Sequence, residues 1–331
     1  MRHLLAALFL LTAAPASATC AGQNLLDIMP AADRAALTAA ADAVPYPRGN
    51  FWRATRGDAV LYLIGTYHFE DPRHAATVAA LSPALQTAAT LLVEAGPDEE
   101  ALLIARLTSD VSVMVNTTGP TLPELLPEAE WQALANAMRA RGIPPFMAAK
   151  FQPWYVSMLL ATPACAMEAA LSGAPGLDAL LTDAALAANI PVRALEPYDT
   201  VFRIFGDLTP EDQISMIRAT LATEPRAADF AATLADAYFA GQSRLIWELS
   251  RRESLGLPGY TAARVDAEFA RMEESMMASR NRDWIGVIED ALQDGPAVAA
   301  FGALHLSGTE GVLALLETRG FTLTPLPLAQ P

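Results

Sequence analysis

The stretch AVLYLIGTYHFEDPRH, Ala59 to His74, is apolar up to Ile64, breaks at Gly65 and delivers His68 three residues later. A short apolar run of this kind reads as a buried strand. HAATVAALSPALQTAA follows with helical spacing, and TLLVEAG is a second apolar run that ends in Glu94. Strand, helix and strand in that order imply parallel strands joined by a crossover helix.

The same logic recurs along the chain. GLDALLTDAALAANIPVRALEPYD gives a helix, a turn at Asn189 and a short strand that delivers Glu196. AVAAFGALHLSGTEG stops at Gly302 and is followed by His305, and FTLTPLPL reads as a final edge strand. Upstream, LLDIMPAADRAALTAAADAV has helical spacing, and PYPRGNFWRATRGD breaks it into a hairpin-like entry. The segments at about 97–170 and 210–292 are helical, the first divided by prolines and the second read as a solvated layer. The expected fold is α/β, with α+β as the alternative: a central mixed, largely parallel sheet surrounded by helices, with a large helical layer.

Composition limits the partners. The chain has 331 residues and a formal charge of -15, and none of its 22 Lys and Arg residues form a basic block. A phosphate-backbone partner needs such clusters, so nucleic acid is not expected. Residues 1–18 read as an export signal, with Arg2, the apolar core Leu4 to Leu11, and Ala16-Ser17-Ala18 before the cut. No later apolar run reaches about 18 residues, so no transmembrane segment is expected. The remaining 19–331 form one domain, periplasmic or secreted. Cys20 and Cys165 are the only cysteines, and in an oxidising compartment they are expected to pair. Lipid anchoring at Cys20 is the alternative, and Cys165 has no nearby base that would make it a nucleophile.

Four apolar strands thus end in His68, Glu94, Glu196 and His305. In open α/β sheets, ligands bind beyond the carboxyl ends of the strands, where residues distant in sequence can converge. Two imidazoles with one or two carboxylates are a usual ligand set for a catalytic divalent metal. Gly65 and Gly302 would let the chain turn sharply off each strand. Of the three histidines beyond the signal, two occupy matching G-x-x-H turns. His74 is read as a surface-loop residue, because EDPR is ordinary turn chemistry. Arg280 and Asn281 in MASRNRDW could stabilise an oxyanion.

LIGTYHFEDPR, LLVEAG, GLDALL with VRALEP, SRNRDW and FGALHLSGTEGVLALLETRGF together resemble the TraB/PrgY/GumN family, in its exported GumN-like branch. The resemblance implies an α/β fold with two related strand-turn-His halves. It extends to the Tiki metalloproteases, described as divalent-metal-dependent, and so implies His68, Glu94 and His305 as metal ligands. Glu196 and Arg280 fall in further family blocks and are assigned catalytic roles. The expected activity is metal-dependent hydrolysis of a peptide or small amide with Mn, Co or Zn. The alternative is a non-catalytic periplasmic binding protein that sequesters a peptide or cofactor, and a structural envelope partner is a third option.

Overall fold

The computed structural model describes residues 20–206, 208–257 and 259–327, so the export signal at 1–18 lies outside the described residues. Among the described residues, six strands form one sheet: β1 (Phe51–Arg56), β2 (Ala59–Thr66), β3 (Thr90–Val93), β4 (Val192–Ala194), β5 (Ala297–Gly302) and β6 (Thr322–Pro325). Their spatial order is β4-β3-β5-β2-β1-β6. β4, β3, β5 and β2 run parallel, while the β1–β2 hairpin and the edge strand β6 pair antiparallel. This is the mixed, largely parallel sheet the sequence predicts. One feature of the order was not legible: β5, more than 200 residues away, inserts between β2 and β3.

Alternation along the strands divides the core between the two faces. Leu61 and Leu63 of β2, with Ala297, Ala299 and Phe301 of β5, pack against Trp284, Ile285, Ile288, Leu313 and Leu316. Ile64, Val298 and Ala300 point the other way, onto Leu81, Leu85, Leu177 and Leu181. Helices Ser279–Ala291 and Val312–Thr318 therefore cover one face, and His74–Gln86 and Leu177–Ala187 cover the other. With both faces covered, the parallel strands can be nearly continuous apolar runs, which is what made them readable.

The helical segments build cores of their own. Leu122, Leu134, Met138, Val156 and Leu160 pack with Ile214 and Ile217, joining the two helical stretches. Cys20 and Cys165 form a disulfide across 145 residues of sequence, as expected. Among the described residues, no single helix is long and apolar enough to cross a membrane.

His74 departs from its expected place. It opens helix His74–Gln86 and is 1% exposed, packed among Tyr67, Tyr238 and Phe239. Its Nε2 lies 3.0 Å from the Phe69 carbonyl. The turn itself forms as predicted, with Asp71 Oδ1 accepting from Arg73 N–H at 2.9 Å. That turn folds His74 back under the aromatic residues instead of leaving it in solvent.

Candidate active site

All four polar residues lie just beyond the carboxyl ends of parallel strands, and the strand order arranges them as Glu196, Glu94, His305 and His68 along the rim. β2 and β5 are neighbours in register, with Gly65 opposite Phe301 and Thr66 opposite Gly302, so the two G-x-x-H turns leave the sheet side by side. Each glycine makes room for the other turn. A Cβ on Gly65 would come within 2.9 Å of Ala303 Cα, and one on Gly302 would lie 3.1 Å from His68 Nε2 and 3.3 Å from Glu94 Oε1.

Each imidazole is anchored through Nδ1. His68 Nδ1 lies 2.8 Å from Asp178 Oδ2, and the Thr66 hydroxyl donates to the other oxygen of the same carboxylate. Asp178 occupies the first turn of helix Leu177–Ala187, where a negative charge suits the helix dipole. Gly176 lets that helix approach: a Cβ there would overlap the His68 carbonyl, and Leu177 N–H donates to Tyr67 O at 3.0 Å. His305 Nδ1 lies 2.6 Å from Asn281 Oδ1, while Asn281 Nδ2 donates to Glu310 O at 2.7 Å. With Asn281 oriented in this way its oxygen accepts from His305, so the proton sits on Nδ1 and Nε2 carries the lone pair.

Arg280 fills the centre. Its Nε and Nη2 donate to both oxygens of Glu196 at 2.7 Å, and Nη2 also donates to Glu94. Nη1 donates to the Met276 carbonyl at 2.9 Å and approaches His305 Nε2 at 3.2 Å. Helix Ser279–Ala291 carries Arg280, Asn281 and Trp284, and Trp284 Nε1 donates to Glu196 at 3.1 Å. Immediately before it, residues Glu274–Ala278 form a π-helical turn, an irregularity frequent at functional sites. The second carboxylate oxygen of Glu94 accepts from Gly302 N–H at 2.7 Å.

The electrostatics follow from these contacts. Burial alone would raise the Glu94 carboxyl, but His305, Arg280, His68 and the Gly302 N–H together hold it down to about 2. Burial and the neighbouring Glu94 charge push Glu196 up, against the pull of Arg280. Burial, reinforced by the positive charges of Arg280 and His68, lowers His305 to about 3 and keeps it neutral. His68 goes the other way: its surroundings resist charge, yet Asp178 and Glu94 raise it to about 9. The His68 side chain is 61% exposed at the rim of the sheet.

The donor chemistry suits a divalent ion. Metal-ligating histidines commonly donate their second ring nitrogen to a carboxylate or carbonyl, and both imidazoles here are tied in that manner. Gly302 leaves space beside His68 Nε2 and Glu94 Oε1. Among the described residues, no three His, Cys, Asp or Glu side chains are gathered at metal-ligand spacing. The cation that joins Glu94 to His305 is the guanidinium of Arg280, and an ion bound by all three ligands would take over that place.

His68, Glu94, Glu196, Arg280 and His305, all candidates from the sequence, are brought into one cluster by the fold. Asn281, read from sequence as an oxyanion stabiliser, is 1% exposed and fully engaged with His305 and Glu310. Asp178 and Trp284 were missed. Asp178 looks like any first-turn acid, and the only local signal for Trp284 is its position one helical turn after Arg280.

A parallel-sheet rim that carries paired imidazoles, two glutamates and a central arginine defines an α/β protein with a polar site at its strand ends. The chain belongs to the TraB/PrgY/gumN family, whose model matches residues 50–325 and so includes every residue of this cluster. No curated protein matches the chain.

Proposed function

We propose that the protein is a divalent-metal-dependent hydrolase of amide or peptide bonds, with His68, Glu94 and His305 as the metal donors. The observation that carries this reading is the paired anchoring of the imidazoles: Asp178 and Asn281 hold the two Nδ1 atoms, leaving both Nε2 atoms on the side of Glu94. Mn, Co or Zn suits such a donor set, and the ion would supply the Lewis acidity that makes water nucleophilic near neutral pH.

The remaining residues handle charge and protons. Arg280 keeps a fixed positive charge at the site through its paired bonds to Glu196, suited to an oxygen that gains negative charge. Glu196, pushed up by burial, is suited to accept the proton of the attacking water. The Cys20–Cys165 disulfide supports an exported, periplasmic or secreted setting.

The closed Arg280 ion pair favours a second reading, a non-catalytic binder of a peptide or cofactor at the same rim. Metal analysis of the purified protein, with turnover of a peptide library under added Mn²⁺, separates the two. Metal-activated cleavage that is lost in His68→Ala and His305→Ala supports the hydrolase. Absence of cleavage and of any bound or activating ion leaves the binder, and full activity in His305→Ala overturns the proposed metal site.

A further inference from the structure

The helical layer, read from sequence as merely solvated, carries a half-open cavity of about 750 Å³. Protein interiors close-pack and leave few voids larger than a water, whereas ligand pockets span about 300–1,000 Å³. Phe205, Met216, Phe230, Trp247, Met272 and Met276 contribute to its walls, and such methionines adapt to flexible apolar guests. Its lining includes Tyr67, Phe69 and Glu70, which flank His68 in the chain. The Met276 carbonyl in turn accepts from Arg280. The wall does not include His68, Glu94, Glu196, Arg280 or His305, so the cavity adjoins the polar cluster without being part of it.

Several polar groups in the wall are already engaged. The hydroxyls of Thr220, Thr223 and Ser254 donate to helix carbonyls at 3.0, 2.9 and 3.0 Å. Asp71 and Asp236 pair with Arg73, Glu224 with Arg141, and Glu253 with Arg226. A peptide backbone in this space would bring an N–H and a C=O per residue with few partners, at a large desolvation penalty. A hydrocarbon chain carries no such groups.

We propose that this cavity binds a single hydrocarbon chain, the acyl part of an acylated amide, with its polar end directed towards His68. The binding site stands on the cavity itself; its role as a substrate pocket rests on the hydrolase reading. The test is calorimetric titration of the full exported chain with N-acyl glycinamides from hexanoyl to tetradecanoyl. Binding is expected to tighten about fourfold per added CH₂ until the cavity is full. Ala219→Phe and Ala231→Phe, two wall positions on different helices, should each cap the series at a shorter chain, with the circular dichroism of the wild type as the check on folding. Affinity that ignores chain length, filled variants that bind long chains as well as the wild type, or an apolar peptide that displaces the acyl amide would each overturn the proposal. Chain-length-dependent binding without cleavage leaves the cavity standing and removes the hydrolase. Cleavage of short amides with no effect of chain length does the reverse.

Discussion

Arg280→Met removes the guanidinium while keeping a helix-forming side chain, and it tests whether that cation holds the rim together. In the wild type, Glu94 is depressed from 4.5 to about 2. A depressed carboxylate contributes stability that is present above its unfolded value and lost as pH falls through about 2. The drop corresponds to roughly 3 kcal/mol near pH 7. Stripping one partner from a buried ion pair costs about 3–5 kcal/mol, a similar magnitude reached independently. In the variant Glu94 keeps His305, His68 and the Gly302 N–H but loses the guanidinium, so its carboxyl rises from about 2 towards 4.5, and the loss relative to the wild type shrinks once pH falls below about 4.5. Urea unfolding should therefore show a loss of about 3 kcal/mol near pH 7 and a clearly smaller one near pH 3. Adding Glu196→Gln should restore part of the loss. A loss below about 1 kcal/mol at neutral pH, or an equal loss at both pH values, refutes the reasoning.

Further outcomes follow from other contacts. Asp178→Asn should bring His68 down from about 9 towards its ordinary 6.5, as read by NMR titration, and an unchanged titration would show that Asp178 is not its anchor. A raised histidine contributes stability that is fully present below about pH 6.5 and lost as pH rises through about 9; with 61% of the side chain exposed, screening limits this to about 1 kcal/mol at most. Gly302→Ala puts a methyl 3.1 Å from His68 Nε2, so the proposed hydrolysis should fall about 100-fold while urea stability stays nearly unchanged, and wild-type turnover would contradict the close approach. Cys165→Ser opens a link across 145 residues and should cost about 2–4 kcal/mol, lowering the melting temperature; a melt matching that of the oxidised protein would count against any stabilising role.

Much of the site was legible because its residues end strands that are themselves legible. Parallel strands covered on both faces are continuous apolar runs, so the first polar residue after each one stands out: His68, Glu94, Glu196 and His305. His74 was misread because turn chemistry in EDPR says where the chain bends and not what the bend packs against. Asp178 and Asn281 were obscured for a related reason, since a helix that supplies one hydrogen bond to a distant imidazole carries no local mark of it.

The sequence by itself determined the α/β rhythm, the strand ends and the chemical types of the residues there, because these depend on local hydrophobic pattern and turn chemistry. Only the tertiary structure decided that β5 lies between β2 and β3, which makes the two G-x-x-H turns neighbours across more than 200 residues. It also decided that Arg280 sits between both glutamates and His305, and that the helical layer carries a half-open cavity. Strand order and helix docking are set by long-range packing, and long-range packing leaves no periodicity in the chain.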